Sequence, residues 1–84
     1  MPKRKDDFAV QVGMRIRESR KQIGWTQAQA ARASEMGGKA QFANYERGLA
    51  TPSVKNLQKI AHALGETVDS LLPEYHKSDT KESA

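Results

Sequence analysis

The sequence predicts an all-α fold, built as one compact domain of five short helices. Apolar residues recur at spacings of three and four rather than in alternation, which is the helical period. Glycines at 24, 48 and 65 follow three of the periodic stretches, where glycine commonly ends a helix. A chain of 84 residues has room for one modest core and no second domain.

The composition excludes several classes of protein. The chain has no cysteine, which excludes a disulfide framework and a cysteine-based zinc site. It has no apolar run of the ~20 residues that span a bilayer, and its basic start lacks the apolar core of a signal peptide. We therefore expect a soluble cytoplasmic protein with no membrane partner. The net charge of +4 favours a nucleic-acid partner, although many small basic proteins bind none.

The first predicted helix begins at Asp6 or Asp7 and ends at Ile23, with Gly24 after it. Gly13 inside this helix is either tolerated, at about 1 kcal/mol relative to alanine, or marks a close contact with another helix. Trp25 is expected to pack back on the core rather than to stack on a base. The predicted buried stripe comprises Phe8, Val12, Ile16, Ser19 and Ile23.

The segment from Thr26 to Gly48 predicts two short helices joined by a tight turn. Thr26 and Gln29 have the spacing of a capping box at the start of the first of them. The run Glu35-Met36-Gly37-Gly38 breaks that helix, and a second begins near Lys39 and ends before Gly48. Its apolar residues Phe42 and Tyr45 are expected to face inward. Two helices with a short glycine-containing turn form a helix-turn-helix.

Two more helices are predicted after this motif. Thr51 can cap the fourth helix with Pro52 at its first position, and Val68–Leu72 form the fifth, capped by Thr67 and ended by Pro73. The predicted buried stripe of the fourth helix comprises Val54, Leu57, Ile60, Ala61 and Leu64.

We expect the chain to divide into a flexible basic arm at 1–5, the domain at 6–73 and a disordered polar tail at 74–84. The arm is either a solvated terminus or a segment that adds sequence-independent attraction to phosphates. No catalytic set, nucleotide-binding glycine loop or metal-ligand cluster is evident, so we expect no enzyme, cofactor or metal. His62 has no ligand partner in the pattern and is expected to be an ordinary surface residue.

With these elements in place, the chain resembles the Cro/repressor-type helix-turn-helix proteins of lambdoid phages and their bacterial relatives, the Xre-like regulators. The resemblance covers about residues 10–72 and implies a lambda-repressor-like DNA-binding domain whose second and third helices form the motif. It rests on segments at family spacing: Arg15–Arg20, Gly24–Gln27, Tyr45–Gly48, Pro52–Gly65 and Val68–Leu72.

The resemblance implies roles for the outward residues of the third helix. Lys can donate to guanine, Gln and Asn can pair with adenine, and Ala can meet a thymine methyl group, all in the major groove. By this resemblance the residues that read bases are Lys39, Ala40, Gln41 and Asn44.

The resemblance also implies DNA-backbone contacts, which orient a protein without specifying sequence. Gln27 is the family's phosphate-contacting glutamine, at the start of the second helix. Arg20 and Glu46 form the pair that locks the third helix to the first. The implied DNA-backbone residues are Gln27, Gly38, Arg47, Thr51, Ser53 and Lys55.

Three features depart from the family pattern. The turn from Ser34 to Lys39 is longer by one residue, placed before Gly38. Ala30 stands where the family carries a leucine, and the large Trp25 is expected to refill that volume. Glu66 occupies a position that the family often fills with an apolar residue, on the surface expected to dimerise.

The predicted partner is a double-stranded DNA operator with an inverted repeat, bound by a homodimer that forms on DNA, with the protein acting as a repressor. One alternative is a protein-interaction module of the antitoxin or coactivator type, since the same fold serves such roles. Another is nucleic-acid binding without sequence preference, which would weaken steeply with salt.

Overall fold

The computed structural model describes residues 7–73, and the predicted arm at 1–5 and tail at 74–84 lie outside them. Within the described range the secondary structure is entirely helical. No helix in this part of the chain is long and apolar enough to cross a membrane. The elements are α1 (Asp7–Ile23), α2 (Gln27–Ala33), α3 (Lys39–Glu46), α4 (Val54–Leu64) and a 3-10 turn (Asp69–Leu71).

The core lies between α1, α2, α3 and α4, and the 3-10 turn packs on it from the side of α1. Phe42, Ile16 and Ile60 are completely buried at its centre. Ala30 is also fully buried, and Trp25 packs against the core from the end of α1. The inward orientation predicted for Phe42 is therefore confirmed. The buried cluster consists of Val12, Ile16, Ala30, Ala31, Phe42, Tyr45, Leu57, Ile60, Ala61, Leu64 and Leu71.

The capping box predicted at the start of α2 is confirmed. The Thr26 hydroxyl accepts the Gln29 backbone N–H at 3.1 Å, and the Gln29 side chain accepts the Thr26 N–H at 2.8 Å. Both donors belong to a helix end that has no intrahelical acceptor for them.

The predicted glycine stops are confirmed for three helices. Gly24, Gly48 and Gly65 all have positive φ, at 88°, 77° and 73°. At the end of α3 the Leu49 N–H then reaches back to the Asn44 carbonyl at 3.0 Å, which satisfies a carbonyl that would otherwise lack a partner.

The end of α2 has the same geometry without a glycine. Glu35 takes the left-handed conformation, with φ of 59°, and the Met36 N–H reaches back to the Ala31 carbonyl at 2.9 Å. Neither glycine of the pair at 37–38 has a positive φ, and Gly38 is extended with φ of −173°. The sequence pattern predicted the break but not which residue makes it.

The predicted fifth helix is wrong. Only Asp69–Leu71 form a single 3-10 turn, so the described domain has four helices rather than five. Leu72 is extended, with φ −91° and ψ 151°, because the residue before a proline is driven out of the helical region by Pro73.

The predicted start of α4 is also wrong. Ser53 is the N-cap and its hydroxyl accepts the Asn56 N–H at 3.1 Å, so the helix begins at Val54 rather than at Pro52. Val54 is 72% exposed and does not belong to the buried stripe. Ile23 likewise leaves the stripe predicted for α1, because it lies in the last turn and is 43% exposed.

Candidate nucleic-acid interface

The outward face of α3 carries the residues predicted to read bases. Lys39, Ala40 and Gln41 are exposed in its first turn, while Asn44 is half-buried one turn later. The opposite face is buried through Phe42 and Tyr45, which are 0% and 4% exposed. A short helix thus presents three polar or small side chains to solvent and fixes its other side in the core.

The close contact between α1 and α3 is made at Gly13. A Cβ atom at this position would lie 2.2 Å from the Tyr45 carbonyl oxygen and 2.8 Å from the Glu46 carbonyl oxygen. Backbone atoms cannot turn aside as a side chain can. Of the two explanations left open for this glycine, the close helix contact is therefore the correct one.

A second close contact lies just beyond α3. A Cβ atom at Gly48 would lie 2.8 Å from a methyl carbon of Val10 and 2.9 Å from its Cα atom. Gly48 is thus constrained twice, by its positive φ and by its proximity to α1. Both glycines allow the C-terminal end of α3 to approach α1 closely.

Arg20 and Glu46 form a two-pronged ion pair between α1 and α3. Arg20 Nε donates to Glu46 Oε2 at 2.6 Å, and Nη2 donates to Oε1 at 3.0 Å. Their side chains are only 12% and 2% exposed, so the pair is largely shielded from water. Arg20 Nη1 also donates to the Trp25 carbonyl at 2.9 Å, which connects the segment between α1 and α2 to this pair.

Gln27, the expected phosphate-contacting residue, belongs to the same cluster. Its Nε2 donates to Glu46 Oε1 at 2.9 Å, and the residue is half-buried at the start of α2. Glu46 therefore joins three helices, α1 through Arg20, α2 through Gln27 and its own α3. An amide nitrogen has two hydrogens, so one N–H of Gln27 remains for another acceptor.

The Tyr45 hydroxyl connects α3 to α4 and was missed by sequence reasoning. It accepts a hydrogen bond from Gln41 Nε2 at 3.0 Å and another from Asn56 Nδ2 at 2.9 Å. The four-residue spacing of Gln41 and Tyr45 could have indicated the first bond. The second depends on where α4 packs, which no local pattern specifies.

The residues proposed for backbone contacts flank α3 on both sides. Gly38 is its extended N-cap, and Asn56 in the first turn of α4 touches Tyr45. The start of α4 is therefore joined to α3 by this hydrogen bond. The remaining backbone residues of this set are all exposed: Arg47, Thr51, Ser53 and Lys55.

A separate polar cluster joins α1 to the 3-10 turn. Glu66 accepts hydrogen bonds from the Ser19 hydroxyl at 2.7 Å and the Ser70 hydroxyl at 2.9 Å. These two bonds, that from Ser19 first, lower the pKa of the Glu66 carboxyl below its ordinary value of 4.5. Glu66, which departs from the family pattern, thus has hydrogen-bond partners within its own chain.

The described residues contain no group of histidine, cysteine and acidic side chains that could hold a metal ion. His62 is exposed on α4, as expected of an ordinary surface residue.

A helix-turn-helix family model matches residues 16–71. This range contains all of α2, α3 and α4 and ends at the 3-10 turn. The chain belongs to the Xre/Cro-like family of helix-turn-helix proteins, the class of DNA-binding transcriptional regulators.

Solved regulators share the fold and part of the sequence. The restriction-modification controller protein C.AhdI of Aeromonas hydrophila is 31% identical over 76% of this chain and 96% of its own, with a TM-score of 0.73. The P22 c2 repressor, solved in complex with a synthetic operator, is 30% identical over 73% of this chain and 91% of its own, with a TM-score of 0.69. No curated protein matches the sequence significantly.

The same fold also occurs within an enzyme. Hydroxypropylphosphonic acid epoxidase from S. wedmorenis matches with a TM-score of 0.74 at 21% identity. The match covers 82% of this chain but only 36% of the epoxidase. At this identity the likeness concerns the fold alone.

Proposed function

We propose that the protein binds double-stranded DNA at a specific inverted-repeat operator and acts as a transcriptional repressor, with α3 reading bases in the major groove. The observation that carries the proposal is the division of α3 into two faces. Lys39, Ala40 and Gln41 are exposed on one face, while the other is buried in the core and held against α1. The major groove of B-DNA admits one α-helix, so only the exposed face could meet base edges.

The side chains on this face suit base edges in different ways. Lys39 can donate to guanine O6 and N7, Ala40 can contact a thymine methyl group, and Gln41 can pair with adenine. Asn44 has the same hydrogen-bonding groups as Gln41. It lies one turn deeper along α3 and is half-buried, so it would meet a base only at the edge of the interface.

Residues at both ends of α3 would hold the DNA backbone. Arg47, Thr51 and Lys55 are exposed and could contact phosphates on one side. Ser53 keeps its hydroxyl hydrogen for a phosphate while its oxygen caps α4. On the other side, Gly38 and the free N–H of Gln27 supply donors, and the first backbone N–H groups of α2 lack intrahelical acceptors.

Two copies of the chain would bind one operator. A single α3 reads only a few base pairs, and two-fold dimers of such domains place their recognition helices about one DNA turn apart. The operator complex of the P22 c2 repressor, a 30% identical protein, supports the same partner here. We expect the homodimer to form on DNA rather than before binding.

Selection of bound sequences from a random DNA pool at ~150 mM salt tests the proposal, because this salt suppresses most contacts that ignore sequence. The wild type should enrich an inverted repeat, and Gln41→Ala should relax one base pair in each half-site. The matched control is Gln22→Ala, an exposed glutamine in the last turn of α1, which should select the same repeat as the wild type.

Failure to enrich any sequence, with binding that disappears as salt rises, would contradict specific reading. Binding to no DNA at all would favour the alternative of a protein-interaction module on the same fold. Recovery of a single unrepeated half-site would retain base reading but contradict the dimer.

A further inference from the structure

We propose that Tyr45 and Asn56 are positioning residues that fix the amide of Gln41 and thereby set its preference for adenine. The inference rests on the proposed base-reading role of Gln41 and adds how its specificity is set. It is carried by the two hydrogen bonds that meet at the Tyr45 hydroxyl.

The hydroxyl is a rigid reference point. Tyr45 is 4% exposed and its ring belongs to the core cluster, so the phenol oxygen cannot follow movements of a surface side chain. Asn56 is fixed as well, because its backbone N–H is held by the Ser53 cap at the start of α4. Its side chain donates to the hydroxyl at 2.9 Å and keeps one lone pair of that oxygen occupied.

Gln41 is the exposed one of the three side chains joined at the Tyr45 hydroxyl. A solvent-exposed glutamine samples many rotamers, and ordering it on DNA costs conformational entropy. The bond from Nε2 to the Tyr45 hydroxyl, at 3.0 Å, orders the side chain before DNA arrives. In this arrangement the amide nitrogen is turned towards the core and the carbonyl oxygen is left free.

This polarity favours adenine over the other bases. One hydrogen of Nε2 is committed to Tyr45, which leaves one N–H donor and the carbonyl acceptor for DNA. Adenine offers the complementary pair in the major groove, an N7 acceptor beside an N6 donor. Guanine presents two acceptors at the same edge, so in this arrangement the carbonyl oxygen of Gln41 would face guanine O6 without a hydrogen between them.

The experiment uses the selected operator and varies the one base pair per half-site whose selection Gln41→Ala relaxes. The affinities of four proteins are measured with each of the four base pairs at this position. The proteins are the wild type, Tyr45→Phe, Asn56→Ala and the control Gln58→Ala, an exposed glutamine elsewhere on α4. Tyr45→Phe keeps the buried ring and removes only the hydroxyl. Thermal unfolding of each variant shows whether it is folded.

The wild type should prefer A·T over G·C by roughly 30-fold at this position, within the range of a two-bonded contact. Tyr45→Phe should reduce the preference to less than about 5-fold, near the value of one net hydrogen bond. Asn56→Ala should reduce it less, and Gln58→Ala not at all. The preferences at the base pairs that Gln41 does not read should be unchanged in every variant.

An operator with 7-deazaadenine at this position supplies an independent readout, because it lacks N7 and keeps the amino group. The wild type should lose about fivefold in affinity, the value of one hydrogen bond, and Tyr45→Phe should lose less. A folded Tyr45→Phe protein with the base preferences of the wild type would overturn the inference while leaving base reading by Gln41 intact. If the wild type selects no operator, the proposed function itself has failed.

Discussion

The two ends of α3 are held in different ways. At its C-terminal end a two-pronged ion pair, the backbone contact at Gly13 and the glycine at 48 all fix the helix against α1. At its N-terminal end Gly38 provides no side-chain cap, and a Cβ atom at either Gly37 or Gly38 would meet nothing within 4 Å. The end that carries the proposed base-reading residues is the one with fewer constraints.

This difference indicates that the two ends of the eight-residue helix α3 have different roles. The clamped end sets the direction in which α3 leaves the core, so it determines the docking angle. The open end carries the exposed side chains, of which Gln41 is ordered by its hydrogen bond to Tyr45.

Glu46→Ala, which removes the ion pair at the C-terminal end of α3, has the largest expected effect. The change leaves the guanidinium of Arg20 without its partner in a site where both side chains are nearly buried, so we expect a loss of about 3–5 kcal/mol in unfolding free energy, measured by urea denaturation. The double variant Arg20→Leu with Glu46→Leu should recover much of the loss because no charge is stranded. If Glu46→Ala lowers the unfolding free energy by less than about 1 kcal/mol, the value of an exposed ion pair, the pair of Arg20 and Glu46 contributes little to stability.

Gly13→Ala tests the backbone contact at the same end. Alanine would normally stabilise a helix interior by about 1 kcal/mol relative to glycine. Here its Cβ would overlap the Tyr45 carbonyl, and we expect a net loss of about 1–3 kcal/mol by urea denaturation, with weaker operator binding as α3 is displaced. Gly37→Ala is the matched control at the open end and should change neither quantity appreciably. Stabilisation by Gly13→Ala would contradict the close contact.

Glu35→Gly tests the turn that precedes the N-terminal end of α3. Glu35 holds a left-handed conformation that glycine adopts without steric cost, so the variant should gain roughly 0.5–1 kcal/mol after the entropy of glycine is subtracted. Thermal unfolding would measure it, with Glu18→Gly inside α1 as the destabilising control. A loss of stability in Glu35→Gly would mean that this carboxylate has an energetic role beyond the turn.

The smallest expected effect lies away from both ends of α3, at the cluster between α1 and the 3-10 turn. Because the pKa of Glu66 is lowered on folding, its contribution to stability is present above the unfolded pKa, near 4.5, and is lost as pH falls through the folded pKa. Glu66→Gln should therefore flatten the fall in stability below that pH, as followed by denaturation across a pH series. An unchanged slope would remove Glu66 from the account of acid stability.

Local patterns in the sequence predicted the features that depend on near neighbours. The capping box at Thr26, the glycine stops and the inward Phe42 all follow from residues within one or two helical turns. The predictions failed where a neighbouring element or a competing local signal decided the outcome. Pro73 shortened the predicted fifth helix to a 3-10 turn, and the serine at 53 displaced the expected cap at Thr51.

The candidate site also contains some features that the sequence predicted and others that it did not. Family resemblance supplied the roles proposed for Gln41 and its neighbours, and it brought Arg20 and Glu46 together as a pair. It could not supply the hydrogen bonds from Gln27 to Glu46 or from Asn56 to Tyr45, which join residues on different helices. Such contacts depend on how the helices pack, which the local patterns of one sequence do not reveal.

A protein–DNA double-mutant cycle tests most directly the central claim that the exposed face of α3 reads bases while its buried face holds the helix in the core. Affinities would be measured for the wild type and Gln41→Ala, each with the selected operator and with the operator changed at the relaxed base pair. A coupling energy of about 1–3 kcal/mol between protein change and base change is the expected result. Effects that add to within about 0.5 kcal/mol, as for groups that do not touch, would contradict the claim.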